Sequence, residues 1–151
     1  MKTNICLYHT GYSQFNQEAI DCVNSMTPDR LDDISITCYN PSPDFIDIKC
    51  AVFAPSALDS FTDGIIITSS IGHANDVLGC STNAIKILYL YDLSWMFKPL
   101  SYDLIYDTLN DERLKIILRS PTYEKSMLNV GCKRPMTILE KFSLEEIWNS
   151  L

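Results

Sequence analysis

Apolar residues along this chain repeatedly change their spacing, from continuous or alternating runs to a three-to-four-residue period and back. The runs predict strands at residues 4–8, 34–39, 50–53, 65–67, 85–90, 115–118 and 135–139. Between the first two, Phe15, Ala19, Cys22, Val23 and Met26 form an apolar helical stripe, while Gln17, Glu18, Asp21 and Asn24 take the wet face. Thr27 and Pro28 stop that helix. Further helices are predicted at 55–61, 73–78, 122–129 and 144–151, with a turn of helix at 44–47. Another follows from the stripe Tyr102, Ile105, Tyr106 and Leu109. Gly131 stands where a helix end prefers a left-handed residue, and Ser143 caps the last helix.

Strands separated by helices or turns imply βαβ units. The expected architecture is a single doubly wound, Rossmann-like α/β domain. Its mostly parallel sheet has about six to seven strands, with helices on both faces. Open sheets of this kind bind ligands beyond the carboxyl ends of their strands, where the strand order reverses. That rule selects residues 9–13, 68–73, 91–95, 119–124 and 140–142.

In the first of these segments Thr10, Gly11, Tyr12 and Ser13 join a strand to a helix, a place where backbone amides can hold an anion, although Gly11 equally serves a tight turn. His73, near Ser69 and Ser70, offers an imidazole as acid, base or donor; equally, it caps a helix or faces solvent. Asp92 and Trp95 pair a carboxylate with an aromatic platform, an arrangement that suits a sugar; equally, Asp92 caps a turn and Trp95 packs in the core. His9 ends the first strand and is within conceivable reach of either group. No Gly-x-Ser-x-Gly elbow, dinucleotide glycine fingerprint or P-loop is present, and a carboxylate pair such as Asp92 and Glu140 carries little specificity.

Composition narrows the partners. Lys and Arg number 12 against 19 Asp and Glu, a net charge of −7, and no basic cluster offsets the repulsion from nucleic-acid phosphates. No apolar run approaches the ~20 residues of a membrane span, so the chain reads as a soluble cytoplasmic protein. Cys6, Cys22, Cys38, Cys50, Cys80 and Cys132 show no C-x-x-C spacing, which favours free thiols in the core over metal ligands.

Thr10, Gly11 and Ser13, with Ser120, Pro121, Thr122 and Tyr123, resemble two flavodoxin segments, which would imply FMN. In flavodoxins, however, the second segment lies near the middle of the chain, and here it lies near the end. The layout as a whole resembles the N-terminal, acceptor-side domain of GT-B glycosyltransferases, particularly compact bacteriophage versions. The resemblance is carried by a strand with a Gly11-containing loop, the strands at 64–68 and 85–91, residues 116–120 with Tyr123, and residues 135–139 leading to Phe142, Leu144 and Ile147. It implies an acceptor-side half without its own nucleotide-sugar domain. His73 or Asp92 would be the catalytic base or orienting group, and His9, Gly11, Tyr12, Ser13, Ser69, Ser70, Trp95, Ser120 and Tyr123 would line the substrate site. No cofactor or metal is implied beyond a nucleotide-sugar held by a partner subunit or domain. The alternative on the same fold is a non-catalytic protein-interaction module, and either form is compatible with oligomers.

Overall fold

A computed structural model of the 151-residue chain describes residues 1–9, 13–40, 47–97 and 101–151. Its strands are β1 (Thr3–His9), β2 (Ile34–Asn40), β3 (Ala51–Phe53), β4 (Ile65–Thr68), β5 (Ile85–Leu90), β6 (Leu114–Leu118) and β7 (Thr137–Ile138). Its helices are α1 (Gln14–Asn24), α2 (Pro28–Leu31), α3 (Ile71–Gly79), α4 (Tyr102–Asn110), α5 (Pro121–Asn129) and α6 (Leu144–Asn149), with 3₁₀ turns at Pro55–Ser60 and Ser94–Phe97. The strands form one seven-stranded sheet in the order β3-β2-β1-β4-β5-β6-β7. Every pairing among them is parallel. The expected doubly wound, Rossmann-like domain is therefore what the chain forms.

Alternation along the strands divides the core between the two faces. Ile5, Leu7, Ile65, Ile67, Ile87, Tyr89 and Ile117 lie on one side with Phe15, Ala19, Ile20 and Val23 of α1 and Leu144 and Ile147 of α6. Leu88, Leu90, Ile116 and Leu118 lie on the other, against Ile71, Ala74 and Leu78 of α3, Leu109 of α4 and Met127 of α5. The helices change face at β4 because a right-handed crossover must do so once the chain reverses its direction across the sheet. The reversal lies between β1 and β4. Burial of the central strands on both faces explains why residues 65–67 read as a continuous apolar run instead of an alternating one.

Local chemistry sets the ends of the elements. α1 ends at Asn24, where Ser25 caps it, short of the predicted stop at Thr27 and Pro28; Pro28 instead opens the one-turn helix α2, because proline's fixed φ and missing N–H suit a first helical position. α3 begins at Ile71, two residues before the predicted start, because Ser70 caps it. Gly64, at φ +90°, turns the chain into β4, and a Cβ there would stand 2.2 Å from the Lys2 carbonyl oxygen. The turn of helix predicted at 44–47 falls largely outside the described residues. All six cysteines are free, with Cys6, Cys38 and Cys132 buried. No helix among the described residues is long and apolar enough to cross a membrane.

Candidate functional site

Because every strand is parallel, the carboxyl ends of the sheet form one rim. The ends of β4, β5 and β6 are successive neighbours about 4.8 Å apart, so the segments containing His73, Asp92 and Ser120 share that rim. What their side chains do there differs from what their residue types suggested.

Around the reversal point, the polar groups hold the fold. Ser13 caps α1, its Oγ accepting from the Asn16 N–H at 3.0 Å. Ser70 caps α3 in the same way, accepting from the His73 N–H at 3.2 Å. Ser69, half-buried, links β4 to that cap. The His73 imidazole is only 4% exposed and stacks on the Tyr39 ring of β2, with centroids 4.0 Å apart and planes inclined by 11°. It is therefore neither a solvent-facing histidine nor a base open to the rim. Thr10, Gly11 and Tyr12 and the side chain of His9 lie outside the described residues.

Farther along, Asp92 is exposed and its Oδ1 accepts from the Ser94 N–H at 2.8 Å, closing the following 3₁₀ turn. Trp95 is buried, its indole packed with the second core cluster, so the exposed aromatic platform expected beside Asp92 is not present. Ser120 caps α5 and shares a 2.9 Å hydrogen bond with the Thr122 hydroxyl, and Tyr123 packs half-buried against the same cluster.

A second constellation lies at the ends of β5, β6 and β7, on the α1 face of the sheet. Tyr91 keeps the facing of Tyr89, and Arg119 keeps that of Ile117, because side chains two apart along an extended chain point the same way. The Arg119 backbone is fixed by its N–H, which donates to Leu90 O at 3.1 Å. From α1, Glu18 reaches both residues. The Tyr91 hydroxyl donates to Glu18 Oε1 at 2.7 Å, and Arg119 Nη2 lies 3.6 Å from that same oxygen. The guanidinium sits over the Tyr91 ring, Cζ 4.1 Å from its centroid, and Nε donates to the Glu140 carbonyl at 3.4 Å. Among the described residues, Glu18 Oε2 has no hydrogen-bond partner.

An aromatic bed supports this cluster. Phe15 packs against Tyr89, Tyr91 and Phe142 with centroids 5.9, 5.8 and 5.3 Å apart, and the Tyr89 hydroxyl donates to Leu139 O at 2.7 Å. Burial, followed by the hydrogen bond to Glu18, pushes the Tyr91 phenol up to about 12, so at neutral pH it is a fixed donor. Above the bed lies an open groove of about 580 Å³, bordered by Glu18, Asp21, Arg119, Glu140, Lys141 and Phe142. Burial also raises the Cys22 thiol at the groove's edge, which disfavours its thiolate.

Sequence reasoning placed Tyr91, Arg119 and Glu140 in rim segments but gave neither Tyr91 nor Arg119 a role. It assigned Glu18 to the wet face of a helix. The signal that finds Tyr91 and Arg119 is the two-residue facing of Tyr89 with Tyr91 and of Ile117 with Arg119, which sends both side chains toward α1. No group of three or more metal-ligating side chains occurs among the described residues. No family model, no curated protein and no solved structure matches the chain.

Proposed function

We propose that this chain is a glycosyltransferase-like, acceptor-side Rossmann domain, which binds an acceptor along its carboxyl rim and works with a nucleotide-sugar held by a second domain or subunit. The observation that carries this reading is the all-parallel order β3-β2-β1-β4-β5-β6-β7, with its reversal between β1 and β4. Such a sheet offers a ligand-binding crevice along one rim. The layout that resembles the GT-B acceptor half supplies the reaction class, since a fold by itself supports many functions. In this reading Asp92, exposed on the rim, orients an acceptor hydroxyl, and His73 acts from beneath by holding Tyr39 in place.

The test is a thermal-shift and calorimetric screen of the intact chain against nucleotide-sugars and candidate acceptors. A ligand at 100 times its Kd stabilises the folded state by about 2.7 kcal/mol. Acceptor stabilisation without nucleotide-sugar stabilisation is the expected result. Turnover should then appear when a donor-binding half is added and fall when Asp92→Asn is substituted.

A second reading, a protein-interaction module on the same fold, is favoured by one observation. Tyr102 and Tyr106 of α4 are 62% and 41% exposed and stack on each other at 5.9 Å, an aromatic pair of the kind enriched at protein interfaces. A screen without sugar binding, together with a protein partner released by Tyr102→Ser, supports this second reading over the first.

A further inference from the structure

We infer that the groove between α1 and the ends of β6 and β7 is a subsite for a neutral, hydroxyl-rich ring, that is, an uncharged monosaccharide unit. Three carboxylates border it, on Glu18, Asp21 and Glu140, against two cations, on Arg119 and Lys141. A phosphate or carboxylate ligand would suit the guanidinium but would meet three like charges at close quarters. An ammonium ligand would meet Arg119 and Lys141. A vicinal diol meets neither objection, because each hydroxyl accepts from the cations while donating to the carboxylates.

The guanidinium is built for this use. Its face rests on Tyr91, its Nε is occupied by the Glu140 carbonyl, and its contact with Glu18 is a loose 3.6 Å pairing that leaves donor capacity toward the groove. Tyr91 holds Glu18 Oε1, so the Glu18 carboxylate is oriented before any ligand arrives, while its Oε2 is buried and has no hydrogen-bond partner among the described residues. Orienting both groups in advance lowers the ordering cost of binding. Phe142, largely buried on Phe15 and Tyr89, adds an apolar residue to the lining, which suits the C–H face of a sugar ring. The volume, about 580 Å³, falls within the roughly 300–1,000 Å³ of small-molecule sites. Identifying the bound sugar as the acceptor rests on the glycosyltransferase-like reading, whereas the subsite rests on the groove alone.

The experiment is calorimetric titration of the intact chain with glucose, galactose and N-acetylglucosamine as neutral probes, glucuronate as the anionic probe and glucosamine as the cationic one. At least one neutral sugar should bind saturably. Arg119→Gln and Glu18→Gln should each weaken that binding about tenfold or more. Lys141→Gln, an exposed change that leaves the aromatic bed intact, should weaken it less and keeps the test valid if either of the other variants fails to fold. Saturable binding of glucuronate alone or glucosamine alone overturns the proposal in favour of a charged ligand. Absence of saturable binding by all three neutral sugars overturns it outright. If the sugar binds and no transfer follows on supplying a donor-binding half, the subsite stands and the transferase reading falls.

Discussion

Two stretches of one rim handle polar residues in opposite ways. Near the reversal point, Ser13 and Ser70 cap helices and His73 is stacked under cover of Tyr39, so the chemistry there is committed to holding strands and helices together. At the ends of β5 to β7, Glu18 and Arg119 are held from below by Tyr91 yet border an open groove. Residue type and strand-end position pointed to both stretches, and side-chain direction points to the second. A buried polar group that completes a local backbone bond stabilises the fold, whereas a charged group fixed on one side and open on the other is poised for a ligand.

Substitutions should separate the two stretches by their effects on stability. Trp95→Ala, which empties a core position, is expected to cost about 3–5 kcal/mol by denaturant unfolding. A much smaller loss would mean that the indole is free to serve as a platform after all. His73→Ala should follow at about 2–4 kcal/mol, because it removes a buried ring and its stacking partner contact. Loss of a single cap, Ser70→Ala, should cost about 1 kcal/mol. Arg119→Gln should change stability by less than about 1 kcal/mol, as expected for a half-exposed ion pair with a cation–π contact, while reducing sugar binding sharply. An Arg119→Gln variant as destabilised as His73→Ala would erase the contrast between the two stretches.

The smallest expected effect is a control away from the rim. The hydrogen bond from Arg113 holds the Asp111 carboxyl at about 2, below its ordinary 3.8. A folded-state value below the unfolded one means that the stabilisation is complete above about pH 4 and disappears as the pH falls through about 2. Comparing wild type with Asp111→Asn across that window should show the gap between their stabilities closing as the solution is acidified. A gap independent of pH would show that the pair contributes through shape alone.

The fold was legible because burial on both faces left plain signals. Residues 65–67 and 85–90 can only be central strands, and the stripe from Phe15 to Val23 can only face a core. The ends of elements were less legible. Serine was read at several rim positions as a ligand group, whereas Ser13, Ser70 and Ser120 each accept from an N–H two or three residues onward, a local bond that sequence spacing allows but does not require. Glu18 was missed for a different reason. Its neighbours Gln17 and Asp21 are surface residues, and only the tertiary meeting of α1 with the ends of β5 and β6 turns a second-turn glutamate into a partner for Tyr91. Such meetings depend on which face a crossover helix covers, which follows from the strand order and not from local pattern.

The most direct test of the account is an amide chemical-shift titration of the intact, isotope-labelled chain with the neutral sugar that binds most tightly. Saturable shifts are expected at Glu18, Arg119, Glu140 and Lys141, with the Ser69 to His73 amides unmoved. Shifts confined to the Ser69 to His73 segment, with the groove silent, would contradict it.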